Sequence, residues 1–152
     1  MAETGNVTIF IKTFDGFDVY VNGKMVYFPS SKAKEMLAIM VEKRGSSVSL
    51  SQMTYLLYEN IKESTAKNKL RVVFYRLRMS LMEYGIEQIL IKKRGSYAVD
   101  TEQFVCDFYE FIKGNPEFIS LFSGSYMPEY FWAEDMLPYL KNLYRKYNGV
   151  MI

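Results

Sequence analysis

The segment 64–84 constrains the fold most, because it predicts one long helix with a single apolar face. Its apolar residues recur at the spacing of a helix, at Leu70, Phe74, Leu77 and Leu81. Ser64 is placed to cap the first turn, and Gly85 is placed to end the helix. A helix with one apolar stripe must bury that stripe. The segments before and after it must therefore supply the surfaces that cover it.

The rest of this helix is basic and forms two flanks beside the stripe. One flank contains Lys67, Arg71, Tyr75 and Arg78. The other flank contains Lys69 and Arg76. A charged helix face is usually only solvated, so the pattern alone does not establish a partner. Lys69 and Arg76 could also form ion pairs within the protein.

Residues 7–28 predict a small antiparallel sheet. Asp15-Gly16 separates the first two apolar and β-branched runs, and Asn22-Gly23 follows the second run. Asn-Gly is a strong hairpin signal because both turn positions favour positive φ. Pro29 should end the sheet, since proline donates no ladder hydrogen bond.

Two shorter helices are expected between this sheet and the basic helix. The first begins at Ser30 or Ser31 and stops near Gly45,. The second begins at the capping box Ser49-x-x-Gln52, in which the two side chains bond orphan backbone N–H groups reciprocally. Together with the long helix, these segments predict three consecutive helices.

Lys32 and Lys34 lie in the first turn of the first helix. Cations at this position oppose the helix dipole and therefore carry a cost. Their presence there is compatible with contacts to phosphate groups of a partner.

A β-hairpin is expected after the long helix, with strands over residues 88–91 and 97–99. Its tip, residues 92–96, carries three consecutive cations: Lys92, Lys93 and Arg94. Charged residues are almost never fully buried unless paired, so these three face solvent or a partner. They could also protect a strand edge from pairing with another chain.

Charge is distributed unevenly along the chain. Residues 62–94 carry nine basic and three acidic groups, whereas residues 1–61 are neutral overall and residues 95–152 carry a net charge of −4. A basic segment between neutral and acidic ones marks a surface that binds polyanions. A basic helix fits the major groove of double-stranded DNA, and a basic hairpin could reach phosphates or the minor groove.

The composition changes after residue 100. Residues 104–132 contain ten aromatic side chains, which would form either a core or a partner interface,. Pro138 lies inside a last helix expected over residues 132–147, where it should kink the helix or mark a restart.

The order of elements predicts the fold class. A sheet, three helices and a basic-tipped hairpin indicate an α+β fold of the winged helix-turn-helix type with a short C-terminal helical extension. The winged-helix domain would cover residues 7–100 and the extension residues 101–152. Residues 1–6 would form a disordered N-terminus.

The composition excludes several kinds of chemistry. The chain has no histidine and one cysteine, so it offers no histidine base, internal disulfide or Cys/His zinc site,. With no nucleophile–base pair or phosphate-binding loop, we expect no enzyme activity, no cofactor and no metal.

No apolar run approaches the roughly 20 residues of a membrane helix, and the N-terminus lacks signal-peptide features. We therefore expect a cytoplasmic location and no membrane partner. Cys106 is expected to be a small buried residue.

Several spaced motifs resemble a known family. The segments that are similar to the winged helix of the OmpR/PhoB class, and to its SARP-type branch in particular, are residues 17–24, 31–37, 76–78 and 94–97. Residues 106–111 and 124–134 resemble the start of the bacterial transcriptional activator domain, in the form found in Firmicutes two-component response regulators. The resemblance covers approximately residues 7–137.

The resemblance implies a bacterial transcription regulator within a two-component phosphorelay. In that family the helix matching residues 64–84 enters the major groove, and the wing position matching Arg94 approaches the minor groove. The positions that face bases or phosphates match Arg71, Tyr75, Arg76 and Arg78. Such proteins usually bind DNA as homodimers and contact RNA polymerase through the loop matching residues 59–63.

Two features depart from the family pattern. The phosphoacceptor receiver domain that normally precedes the output domain does not fit within this chain, which would then be an excised output domain or a stand-alone regulator. The helical domain is reduced to residues 101–152, whereas a repeat array needs three or more repeats to bury its core. We expect the extension to pack on the winged helix or to form a dimer surface.

A protein-interaction adaptor is the alternative hypothesis. It would retain the winged-helix scaffold without binding DNA and would use the aromatic extension as its docking surface. An adaptor has no need for cations on both the long helix and the hairpin, so the sequence favours a sequence-specific DNA-binding regulator.

Overall fold

The computed structural model describes residues 6–58 and 61–149. Their contacts define two compact units, one formed by residues 26–104 and the other by residues 6–25 together with residues 105–149. The elements in chain order are β1 (Ile9–Lys12), β2 (Asp18–Val21), β3 (Lys24–Met25), α1 (Ser31–Glu42), β4 (Val48–Ser49), α2 (Leu50–Leu57), α3 (Glu63–Met82), β5 (Leu90–Lys93), β6 (Ser96–Val99), β7 (Val105–Cys106), α4 (Asp107–Ile112), α5 (Pro116–Ile119) and α6 (Leu137–Tyr147). The predicted α+β class is confirmed.

The first two helices begin at the capping residues that the sequence predicts. The Ser30 side chain accepts a hydrogen bond from the backbone N–H of Ala33 at 3.1 Å. In α2, Ser49 and Gln52 form the complete capping box, with both side-chain to backbone hydrogen bonds at 3.1 Å. The Ser30 cap and the capping box of α2 both satisfy backbone donors that would otherwise lack partners.

Helix α3 begins earlier than predicted. Its N-cap is Lys62, which makes no side-chain capping bond, so the prediction of Ser64 as N-cap is wrong. The carbonyl of Lys62 already accepts the first helical bond, from the N–H of Ala66 at 2.9 Å, which places Ser64 inside the first turn. Gly85 ends the helix as predicted, with φ of +71°.

A Schellman motif closes α3. The N–H of Gly85 bonds to the carbonyl of Met82 at 3.0 Å, and the N–H of Ile86 bonds to the carbonyl of Leu81 at 3.1 Å,. Ile86 and Leu81 are both fully buried, which supplies the apolar contact typical of this ending,.

The buried face of α3 differs from the predicted stripe at two positions, because it includes Ala66 and has Val73 in place of Phe74. The side chains with 4% exposure or less are Ala66, Leu70, Val73, Leu77 and Leu81. Phe74 is only half-buried and lies beside this face, with its ring 5.1 Å from that of Tyr97. Val73 thus takes the core position assigned to Phe74 in the predicted stripe.

A three-stranded sheet follows from pairing that the sequence pattern did not predict. The strand order is β4-β6-β5, because Val48 and Ser49 pair with the second hairpin strand. The first hairpin strand begins later than expected, since residues 87–89 form a 3-10 turn. Lys92 and Lys93 consequently lie in β5, and the tight turn consists of Arg94 and Gly95.

The second unit combines the start and the end of the described chain. Its sheet has the order β3-β2-β1-β7, in which β7 runs parallel to β1. Asn22 and Gly23 both have positive φ and form the predicted two-residue turn between β2 and β3,. The strands end at Met25 rather than Phe28, and the parallel strand was not predicted. The division into domains of residues 7–100 and 101–152 stays a prediction, and residues 1–5 lie outside the described part.

Aromatic residues form the core of this second unit. The rings of Phe14, Phe111 and Phe122 contact one another with centroids 5.1–5.5 Å apart. Five of the nine aromatics in residues 105–132 are buried, whereas Phe131 is 63% exposed. A 3-10 segment over residues 131–136 precedes α6, whose first turn contains Pro138, so the proline marks a restart.

A buried carboxylate joins β1 to α4. Asp107 is 2% exposed, and its oxygens accept hydrogen bonds from the N–H and hydroxyl of Thr13 and from the N–H groups of Phe14 and Phe108, at 2.6–3.1 Å. Burial raises the pKa of Asp107, and these hydrogen bonds oppose the rise. The neighbouring thiol of Cys106 is fully buried as predicted, and burial raises its pKa as well.

Asp107→Asn should lower the free energy of unfolding by about 1–3 kcal/mol, because the amide nitrogen cannot accept and leaves a buried donor unpaired. The raised pKa means that the folded state binds the proton more tightly than the unfolded state. The proton-linked part of the stabilisation by Asp107 is therefore full below the ordinary carboxyl pKa and is lost as pH rises through the folded pKa, while the hydrogen-bond part remains.

Urea unfolding of both proteins from pH 3.5 to pH 7 measures this effect. The difference in unfolding free energy between wild type and variant should shrink with rising pH and then level off. A difference that grows with pH would contradict the assignment.

Candidate functional site

Helix α3 exposes an apolar band on the side opposite its buried face. We define the outward band as Asn68, Val72, Tyr75 and Met79, which follow one another at helical spacing,. Val72 is 46% exposed, Tyr75 62% and Met79 42%. Val72, Tyr75 and Met79 therefore form a row of exposed apolar side chains on this face of the helix.

Cations flank the outward band on both sides. One side carries Lys67, Arg71 and Arg78, all exposed. The other side carries Lys69 and Arg76, which are also exposed. Neither Lys69 nor Arg76 forms an ion pair within the described part of the chain. The structure thus places both predicted flanks on the surface.

The helix and the hairpin share one cationic cleft. The helix–hairpin cleft has a volume of about 240 Å³, and its lining residues are Leu50, Lys67, Arg71, Phe74, Lys92, Arg94, Gly95 and Tyr97. Four of the cations singled out from the sequence therefore converge on one space. No acidic side chain is among these residues, so the cleft attracts anions.

Two aromatic rings support this cleft. Tyr97 on β6 is buried, and its ring lies 5.1 Å from that of Phe74 on α3. The ammonium group of Lys92 lies 4.9 Å above the Tyr97 ring, and it also donates a hydrogen bond to the carbonyl of Lys93,. Burial raises the pKa of Tyr97, and the charge of Arg71 opposes that rise. The rings thereby hold the hairpin cation beside the helix.

Three predicted site residues lie elsewhere on this surface. Lys93 and Arg78 are exposed, but they are not among the residues that line the helix–hairpin cleft. Arg76 lines a separate and larger cleft beside the start of α1. Arg71 lies at the edge of the outward band, where its guanidinium donates to the Asn68 side chain at 3.4 Å.

The cations at the start of α1 are held by the protein itself. The Lys32 ammonium donates to the carbonyl of Leu57 at 2.7 Å, approaches Glu35 at 3.6 Å and lies 5.1 Å above the Tyr58 ring. Lys34 lies 6.0 Å above the ring of Phe28, and Lys69 lies 5.7 Å above that of Tyr58. Contacts of Lys32 and Lys34 with phosphate stay predictions.

The sequence interpretation missed two parts of this site. Asn68, Val72 and Met79 were not singled out, although their positions opposite the apolar stripe were available from the helical spacing,. The pairing of Phe74 with Tyr97 could not be found in this way, because it joins elements that are distant in the chain.

Residues 6–58 and 61–149 contain neither a metal-binding cluster nor a helix that could cross a membrane. No group of three or more His, Cys, Asp or Glu residues in this part could hold a metal ion. None of its helices has the length and hydropathy needed to cross a membrane.

Comparisons with known proteins support the fold. No family model matches the sequence, and no curated protein matches it significantly. Among solved structures, that of Mycobacterium tuberculosis EmbR in complex with a low affinity phosphopeptide is similar, with a TM-score of 0.78 and 14% sequence identity. The match covers 94% of this chain and 44% of the EmbR chain, so this chain spans less than half of EmbR. At this identity the similarity shows a shared fold.

Lys32→Gln should lower the free energy of unfolding by about 1 kcal/mol, because it removes a charged donor from the carbonyl of Leu57. Lys67→Gln is the matched control. That side chain is exposed, and its removal should change stability by less than about 0.5 kcal/mol. Urea unfolding at neutral pH gives both values, and equal effects would contradict a structural role for Lys32.

Proposed function

We propose that this chain is a sequence-specific DNA-binding transcriptional regulator of the winged helix-turn-helix type. The observation that carries the proposal is the helix–hairpin cleft, where cations of α3 and of the β5–β6 hairpin converge. DNA phosphates are the polyanion that such a surface on a helix fits. The fold similarity to EmbR agrees with the winged-helix interpretation.

The arrangement of α3 suits the major groove. The outward band would face the base edges, where the Asn68 amide can pair with adenine and the Val72 methyl groups can pack against a thymine methyl group. The flanking cations would then lie toward the two phosphate backbones that border the groove. Arg71 and Arg78, beside the band, are placed to pair with guanine or phosphate.

The hairpin would contact the backbone next to the groove. Lys92 and Arg94 line the helix–hairpin cleft together with Lys67 and Arg71 of α3. Phosphates of one strand would enter this cleft. Exposed Lys93 adds charge, and Arg94 at the turn could extend into the minor groove,.

The sequence motifs support a finer proposal. They resemble the SARP-type branch of the OmpR/PhoB class, so we propose that the chain is the cytoplasmic output module of a two-component response regulator. It would bind DNA as a homodimer, with a receiver domain supplied outside this sequence. RNA polymerase would contact the loop over residues 59–63, in which residues 59 and 60 lie outside the described part.

One observation favours the adaptor alternative. The outward band, extended by Met82 at 44% exposure, could also pack against another protein,. The flanking cations would then be solvated and would contribute little. Dependence of DNA affinity on salt separates the two functions.

DNA affinity should fall steeply with salt if cations contact phosphates. Fluorescence anisotropy of a random-sequence duplex between 50 and 200 mM KCl should show a loss of about 10³–10⁵ for roughly 6–10 phosphate contacts. Arg71→Gln combined with Arg94→Gln should reduce the slope of log affinity against log salt by about 2.

The control is Lys141→Gln combined with Arg145→Gln, two exposed cations of α6 in the second unit. This variant has the same net charge as the test variant and should keep the wild-type slope. Absence of binding at 50 mM KCl from folded protein would overturn the proposal and favour the adaptor.

Base recognition should depend on the outward band. On a duplex selected from a random pool, Asn68→Ala or Val72→Ala should each cost about 1–3 kcal/mol, while affinity for unselected duplex stays unchanged. Lys67→Gln is the control, since loss of a phosphate contact should weaken both equally. Equal losses on selected and unselected duplexes for all three variants would contradict base contacts by this band.

A further inference from the structure

A second cleft lies on the flank of α3 that carries Arg76. We call it the Arg76 cleft and define it by Ser30, Lys32, Tyr58, Val73, Arg76 and Met79. Its volume is about 600 Å³, more than twice that of the helix–hairpin cleft. Pockets that enclose small molecules have volumes of about 300–1,000 Å³. A single phosphate group would leave most of this space empty.

Apolar surfaces form much of the wall. Val73 is 4% exposed and forms a buried part of the lining, and the Met79 side chain and Pro29 also line the cleft. Tyr58 and Tyr75 also line the cleft. Thioether and aromatic groups pack favourably against a ring, so an aromatic body fits this wall better than a flexible polar one.

One end of the cleft is cationic. The Lys32 ammonium is fixed there by its hydrogen bond to Leu57, its approach to the Glu35 carboxylate at 3.6 Å and its position above the Tyr58 ring. Arg76 contributes a second charge, and its guanidinium has no hydrogen bond or ion pair with any residue in the described ranges 6–58 and 61–149. Arginine can bind a carboxylate or phosphate through two parallel N–H groups.

The start of α1 adds to this positive end. Ser30 and Ser31 line the cleft at the first turn of a 12-residue helix, and that turn contains no acidic residue. The partial positive charge of the helix N-terminus therefore has the same sign as Lys32 and Arg76. Glu35 offsets part of the Lys32 charge, and the positive charge that remains at this end favours one negative group.

The other end of the cleft sets the orientation of a ligand. Glu83 lines it seven residues after Arg76, about 10.5 Å further along α3 at 1.5 Å per residue,. Its carboxylate repels a second negative group. The cleft thus discriminates in favour of a molecule with its charge at one end and an apolar body at the other.

We propose that the Arg76 cleft binds a small aromatic anion, a carboxylate or phosphate monoester on a single ring system. Arg76 and Lys32 hold the anionic group, and the ring packs against Val73 and Met79. The proposal concerns ligand binding by the chain itself and does not depend on DNA binding.

Amide chemical shifts of ¹⁵N-labelled protein, titrated without DNA, test the proposal. The probes are phenyl phosphate and benzoate, with inorganic phosphate and phenol as controls for the charge and the ring alone. Phenyl phosphate or benzoate should shift the amides of Ser31, Lys32 and Arg76, and should bind at least about tenfold more tightly than either control, since both halves contribute.

Arg76→Gln should weaken binding of the aromatic anion about tenfold or more, because a charge-assisted bidentate contact is lost. Arg78→Gln removes the same charge from the opposite flank of the same helix and should leave affinity unchanged. Both residues are exposed, so both variants should fold.

The outcomes divide clearly. Binding by only one of the two aromatic anions supports the proposal and identifies the anionic group. The proposal is overturned if neither aromatic anion binds at millimolar concentration, if Arg76→Gln and Arg78→Gln behave alike, or if the shifts fall outside the cleft. The salt dependence of DNA binding has no bearing on any of these results.

Discussion

Burial of one face of α3 decides what the rest of that helix can do. Ala66, Leu70, Val73, Leu77 and Leu81 are all essentially inaccessible, and each buried leucine contributes about 1.5–3 kcal/mol. Rotation of the helix about its axis would expose this face, so its orientation is strongly determined. Packing of the core therefore fixes the directions in which the outward band and the two cationic flanks face.

The hairpin is positioned by a separate set of contacts that meets the same helix. Strand β6 pairs with β4 on one side and with β5 on the other, and Tyr97 on β6 packs against Phe74 of α3. Cations of the hairpin thereby stand beside cations of the helix, although like charges repel. The packing of Tyr97 against Phe74 offsets this repulsion. The resulting surface has a positive electrostatic potential that favours an anionic partner.

Local rules were sufficient for much of this fold, and non-local pairing accounts for the rest. The caps at Ser30 and Ser49, the Asn22-Gly23 turn and the stop at Gly85 all depend on nearest neighbours and were predicted correctly. Strands β4 and β7 contain two residues each, too few for a periodic pattern in the sequence. They form because each pairs with a strand that is distant in the chain. The candidate DNA-binding surface could likewise be predicted only as far as local sequence patterns allow. Helical spacing predicted the basic flanks of α3, whereas the convergence of helix and hairpin required the tertiary structure.

The hydrogen bonds between Thr13 and Asp107 affect the order in which the chain folds during synthesis. These residues are 94 positions apart, and the parallel pairing of β1 with β7 closes the same long loop. During translation β1 cannot pair with β7, and Thr13 cannot bond to Asp107, until residues 105–107 have left the ribosome, whereas residues 26–104 contain all the elements of their own unit. Residues 26–104 should therefore fold before β1 pairs with β7.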